Sequence, residues 1–251
     1  MSARTRELPL ILIPGVLCDA TVWEHQRSSL SDLVAVRVAE HGLHDDSLAA
    51  MAQAVLDLAP PQFTVAGHSM GGRIALEIFR QAPMRVAGLA LLDTGYKPMA
   101  SGEKGADERA RRAAWLEMAR QQGMRAMAQD WVRGMVHPAR LTGDRLLVER
   151  IVDMLATKPL EMFEAQFRAL MHRPDATDLL SAIRCPTLVL CGREDGWSPP
   201  AQHEQIAALV PGSILVYVRD CGHMSTMEQP EAVSAALRDW LQTVMTRDTG
   251  T

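Results

Sequence analysis

Lysine is scarce in this chain: three residues, at positions 97, 104 and 158, against 23 arginines. Even so, the 26 basic residues are outnumbered by 30 acidic ones and the net charge is −4, so no positive excess marks a nucleic-acid surface. Long apolar runs are missing too, and none approaches the roughly 20 residues of a membrane span. The first ten residues, MSARTRELPL, carry no signal-peptide core, because the apolar stretch 8–13 runs straight into Pro14-Gly15. These absences lead us to expect a cytoplasmic protein without membrane or nucleic-acid partners, and the arginine bias suggests a bacterial source. Cysteine is limited to Cys18, Cys185, Cys191 and Cys221, without CxxC spacing, so free thiols are expected rather than a disulfide framework. Internal repeats and low-complexity linkers are lacking as well. What remains is a chain of 251 residues, 47% hydrophobic, enough to bury a large core unaided.

Short apolar runs rich in β-branched residues occupy 8–13, 34–38, 63–66, 86–92, 187–191 and 214–218. Their nearly continuous hydrophobicity suits strands buried on both faces of a parallel sheet. Helical spacing falls between them, at 47–58, 73–81 and 231–244, with a further helix at 20–29 capped by Asp19. Such alternation predicts an α/β fold, a mostly parallel sheet with helices on both faces. It breaks once: from about 98 to 177 the patterns are helical only, at 106–121, 123–135, 142–156 and 159–171. We read 1–97 and 178–251 as the core and 98–177 as an inserted helical lid over the carboxyl edge of the sheet.

The most informative stretch is Phe63-Thr64-Val65-Ala66-Gly67-His68-Ser69-Met70-Gly71-Gly72-Arg73. A Gly-x-Ser-x-Gly spacing alone arises by chance. Here it follows a predicted strand and opens a predicted helix, the context that gives the spacing meaning. A reversal in so few residues strains the serine backbone and crowds the positions two away, where Gly67 and Gly71 remove side chains. Ser69 would then be presented at the helix N-terminus, with the Met70 N–H aimed at developing negative charge.

A serine hydroxyl needs a neighbouring base, and the base needs an orienting acid. His223 follows the last predicted strand, in Asp220-Cys221-Gly222-His223-Met224, and is the best placed of eight histidines. His68 is expected to point to the far side of the turn. His25, His137, His172 and His203 read as surface or packing residues, and His41, His44, Asp45 and Asp46 as a solvated loop rather than a metal site. The acid is Asp195, in a glycine-rich turn after the strand 187–191, with Asp93 as its rival. For a second oxyanion donor we take the Val16 N–H, with Leu17 next, on the loop after the first strand. The lid supplies Met118, Met124, Met127, Trp131, Met135, Met162, Phe163, Phe167 and Met171. Leu17, Trp131, Met135, Phe163 and Phe167 are the candidate substrate contacts, which predicts a substrate with a modest apolar portion. Arg125, Arg133 and Arg168 are the lid arginines considered for a substrate carboxylate.

Together Gly67-His68-Ser69-Met70-Gly71-Gly72, Gly192-Arg193-Glu194-Asp195 with Pro199, and Gly222-His223 followed by Glu228-Gln229-Pro230-Glu231 resemble the α/β-hydrolase family. The chain looks most like small bacterial members with a helical cap: carboxylesterases, methyl-esterases, enol-lactone hydrolases and C–C bond hydrolases. Pro14-Gly15 departs from the His-Gly that many members carry at the oxyanion turn, and Ser at the nucleophile position argues against the epoxide-hydrolase and dehalogenase branches. The expectation is a serine hydrolase, without cofactor or metal, acting on a small carboxylic ester or lactone. C–C bond cleavage or lyase chemistry, and a ligand-binding protein with a residual triad, are the alternatives.

Overall fold

The computed structural model describes residues 8–248. The apolar segments form β1 (Leu10–Ile13), β2 (Val36–Val38), β3 (Phe63–His68), β4 (Val86–Leu92), β5 (Thr187–Gly192) and β6 (Ile214–Val218). Every pairing is parallel, in the order β2-β1-β3-β4-β5-β6. Burial follows that order. The four inner strands are buried along nearly their whole length, whereas β2 and β6 at the edges are partly exposed.

Helices cover both faces. On one face α1 (Glu24–Leu30) packs against the C-terminal α12 (Pro230–Asp248), and on the other α2 (Leu48–Leu58) packs against α3 (Met70–Gln81). From β1 the chain steps outward to β2, then returns across β1 to β3. The connections therefore diverge at the carboxyl ends of β1 and β3, the switch point at which open α/β sheets leave a crevice.

Between β4 and β5 the chain inserts α4 (Gly102–Gln122), α5 (Met124–Met135), α6 (Pro138–Gly143), α7 (Arg145–Ala156) and α8 (Leu160–Met171), followed by α9 (Thr177–Ala182). The helix expected over 142–156 is divided at Asp144. That residue leaves helical geometry at φ −136° and ψ 71°, and its carboxylate accepts the Leu147 N–H at 3.1 Å as an N-cap. Asp19 likewise caps its helix, accepting from Thr21 N at 2.8 Å, but the first turn, Ala20–Trp23, is a 3₁₀ turn that precedes α1.

Hydrogen bonds tie the insertion to the carboxyl edge of the sheet. The Leu17 N–H donates to Gln166 Oε1 at 2.8 Å, and the His223 N–H donates to the Met135 carbonyl at 2.6 Å. Beyond β5 come α10 (Pro200–Leu209) and α11 (Ser225–Glu228), and Trp240 of α12 closes the core with its indole N–H on the Pro186 carbonyl at 3.0 Å.

Leu12 is fully buried in β1, whereas Leu58 at the end of α2 is 82% exposed. Leu12→Ala is expected to cost about 2–5 kcal/mol of folding stability through lost burial and a residual cavity, and Leu58→Ala about 0.5 kcal/mol or less. Urea unfolding monitored by circular dichroism checks the pair, and equal midpoint shifts would contradict the described core.

Candidate active site

β3 delivers Ser69 into the crevice in a conformation that side chains resist: φ is 56° and ψ is −117°. Three clamps hold it there. The Ser69 N–H donates to the Leu92 carbonyl at 2.9 Å, the Ser69 carbonyl accepts the Thr94 hydroxyl at 2.6 Å, and the Gly72 N–H closes the turn onto the same carbonyl at 3.0 Å. The turn is so tight that a Cβ at position 67 would overlap the Gly71 backbone, and one at position 71 the Ile13 carbonyl. The remaining non-glycine residues with positive φ among those described, Leu17, Asp93 and Asp220, follow β1, β4 and β6 at the same edge. Backbone strain is thus concentrated around this crevice.

The loops after β5 and β6 bring the other two groups. His223 Nε2 lies 2.8 Å from Ser69 Oγ, and His223 Nδ1 lies 2.8 Å from Asp195 Oδ2. Asp195 and His223 are only 2% and 3% exposed, so their attraction acts with little screening. The other Asp195 oxygen accepts the N–H groups of Trp197 at 2.8 Å and Ser198 at 2.9 Å, which fixes its plane. Glu228 organises the histidine loop. Its Oε1 accepts from Gly222 N at 3.0 Å and Met224 N at 3.2 Å, and its Oε2 accepts from His137 N at 2.7 Å on the insertion. Burial raises the pKa of Glu228, while those N–H groups favour its charged form.

Burial opposes a charged His223, but the charge and hydrogen bond of Asp195, with smaller contributions from Asp93 and Glu228, together leave the imidazole pKa above its ordinary value of 6.5. For Asp195 burial alone would raise the pKa, and His223 reverses it to below the usual value. Asp93 is pushed the other way, well above the carboxylate range, by its own burial and then by the charge of Asp195. It takes no part in the contact with His223. Its Oδ1 accepts the Gly192 N–H at 3.0 Å and its Oδ2 accepts the Ser225 hydroxyl. The two carboxylates that the sequence left in competition therefore occupy different environments.

Met70 is the first residue of α3, and neither its N–H nor that of Val16 has a hydrogen-bond partner among the described residues. Both residues line the cavity that holds Ser69. Leu17, the second choice, is fully buried and its N–H is committed to Gln166.

His68 corrects an expectation. Its ring does not turn away: it lies 5.4 Å from that of His223, and its Nε2–H donates to the His223 carbonyl at 2.7 Å. Burial lowers its pKa to about 3, so it is a neutral support for the histidine loop.

The cavity, of about 500 Å³, lies between the sheet edge and the insertion. Of the expected substrate contacts, Trp131 and Met135 line it. Phe163 and Phe167 do not line it: both are buried, with ring centroids 5.5 and 5.9 Å from that of Trp131 in tilted and edge-to-face contacts. The apolar pocket inferred from the lid composition is corrected as well: Arg73, Glu108, Arg111, Arg112 and Arg173 line the wall. Arg125, considered for a substrate carboxylate, instead pairs on the surface with Glu149 and Asp153, and Arg133 and Arg168 are likewise outside the cavity wall. One signal for Arg73 was present in the sequence. A cation in the first turn of a helix opposes the helix dipole, so something other than helix stability places it there. No group of three or more His, Cys, Asp or Glu side chains among the described residues is arranged to hold a metal ion, and all four cysteines are unpaired. No described helix is long and apolar enough to cross a membrane.

Comparison with known proteins gives a consistent picture. A model of the "Alpha/beta hydrolase family" matches residues 10–236. The (E)-2-((N-methylformamido)methylene)succinate hydrolase of Acinetobacter baylyi is 26% identical, over 94% of this chain and 90% of its own length. Among solved structures, a thermophilic esterase from Thermogutta terrifontis with malate bound is 32% identical, with a TM-score of 0.82 over 95% of this chain and 90% of that one. The enol-lactonase from Burkholderia xenovorans shares the fold at 20% identity, with a TM-score of 0.82 over 96% of this chain and 94% of that one.

The environment of His223 is open to direct measurement. Its ring resonance in NMR is expected to titrate above 6.5, and Asp195→Asn should bring the midpoint down by removing the charge that stabilises imidazolium. A wild-type midpoint below 6.5, or one that Asp195→Asn leaves in place, would contradict this electrostatic account.

Proposed function

The chain belongs to the alpha/beta hydrolase family, and we propose that it is a serine hydrolase that cleaves a small carboxylic ester or lactone through an acyl-enzyme on Ser69. The observation that carries the reading is the continuous relay from Ser69 Oγ to His223 Nε2 and from His223 Nδ1 to Asp195 Oδ2, each link 2.8 Å.

In this reading Ser69 Oγ attacks the substrate carbonyl carbon while His223 Nε2 takes its proton. Asp195 holds the ring in the tautomer with the proton on Nδ1 and stabilises the imidazolium that forms. The carbonyl oxygen becomes an oxyanion, and the free N–H groups of Met70 and Val16 are its donors, with the N-terminus of α3 adding its dipole. Imidazolium then protonates the leaving oxygen as the C–O bond breaks. Water, deprotonated by the same imidazole, attacks the acyl-enzyme, and collapse of the second tetrahedral intermediate returns the Ser69 hydroxyl and releases the acid. In a lactone the leaving oxygen stays attached to the acyl chain, so ring opening follows the same steps. The likeness to the Thermogutta terrifontis esterase, which covers 95% of this chain, supports ester chemistry.

Ser69→Ala is expected to lower kcat for p-nitrophenyl butyrate by ~10⁴-fold or more. Hydrolysis that persists undiminished in the purified variant sinks the assignment. Because the base must be neutral to accept the serine proton, kcat/KM should rise with pH through a midpoint above 6.5. A profile that falls across that range is incompatible with His223 as the base.

A further inference from the structure

Four guanidinium groups share the cavity with Ser69: Arg73 from α3, Arg112 from α4 and Arg173 just past α8 are half-buried, and Arg111 of α4 is exposed. One carboxylate, Glu108, serves two of them. Its Oε1 accepts from Arg112 Nη2 and Arg173 Nη1, each at 2.8 Å, and its Oε2 accepts from Arg173 Nη2 at 2.8 Å. Arg112 is further held over the Phe167 ring, 4.9 Å from its centroid.

Arg73 is treated differently. Its Nη1 donates to the Lys97 carbonyl at 2.9 Å, and no carboxylate lies within ion-pair distance of it among the described residues. Four positive charges, Arg111 included, against one negative leave this wall with an excess of three. Desolvation, and then repulsion from Arg173 and Arg112, lower the Arg73 pKa to about 9. A wall with surplus positive charge is complementary to an anionic acceptor.

We propose that this cavity selects substrates that carry a carboxylate away from the scissile carbonyl, held by Arg73 beside the Arg112–Arg173 pair. Glu108 supplies the geometric argument, because a planar carboxylate already bridges two guanidinium forks on the same wall. Arg73 lies four residues after Ser69, one turn along α3 and about 6 Å up its axis. The bound carboxylate and the reacting carbonyl are thus ends of one short molecule, as a cavity of about 500 Å³ requires. The placing of the reacting carbonyl rests on the serine-hydrolase reading of Ser69.

The test compares monomethyl with dimethyl esters of succinate, glutarate and adipate. The wild type is expected to prefer the monoanion over the matching diester by roughly ten- to a hundredfold in kcat/KM. Arg73→Met should bring that ratio towards one and Arg73→Lys should retain part of it, with thermal melting confirming that both variants fold. Arg125→Met, which removes a surface arginine instead, should leave the ratio as it was. Calorimetry with Ser69→Ala separates the two ways of failing. If that variant binds no monoester more tightly than its diester, the carboxylate site is overturned whatever the turnover. If it discriminates while the wild type cleaves neither these esters nor p-nitrophenyl butyrate, the carboxylate site stands and the hydrolase reading falls.

Discussion

Between Asp195 and His223 a carboxylate and an imidazole face each other at 2.8 Å with almost no water around them. Left unpaired, either group would resist being charged there, since burying an isolated ion is far more costly than burying a matched pair. Together they hold a proton on Nδ1 and turn Nε2 towards Ser69. The surrounding structure serves that orientation. Two N–H groups fix the Asp195 plane, Glu228 gathers three N–H groups around the histidine loop, and His68 supports the His223 carbonyl from below. Glu228 also joins the loop to the insertion through His137, so the helices that roof the cavity help position the imidazole.

Neighbouring carboxylates can differ in protonation when the protein neutralises only one of them. Asp195 has His223 beside it and stays ionised. Asp93 meets the like charge of Asp195 from a buried site and is driven towards its neutral form. The reverse problem appears on the cavity wall, where arginines outnumber carboxylates. In the proposed function the first imbalance prepares a base and the second awaits a substrate anion. Both come from side chains that converge from distant parts of the chain onto one edge of the sheet.

How much of this was legible in the sequence varied with the physics. Six apolar runs announced six strands, and the four inner ones are apolar nearly throughout because both of their faces are buried. Val86–Leu92 and Ile214–Val218 match the expected bounds at both ends. Gly67 and Gly71 could be read because the turn tolerates no side chain there. The aromatic lid residues misled for an equally physical reason. Composition and spacing show that a helix face is apolar but not what it covers, and Phe163 and Phe167 fill the interior of the insertion instead of the cavity. The His68 ring was misplaced because alternation along a strand gives a direction, whereas the position of a ring also depends on the loop that folds over it.

By itself the sequence determined the alternation of strands and helices, the strained serine turn, and the histidine and acidic loops that follow later strands, since each depends on local pattern or local sterics. Only the tertiary structure decided which carboxylate meets the imidazole, which N–H groups remain free, and that the cavity wall is built from arginines. Those outcomes depend on distances between residues far apart in the chain, as between Arg73, Glu108 and Arg173, and no local pattern records such distances.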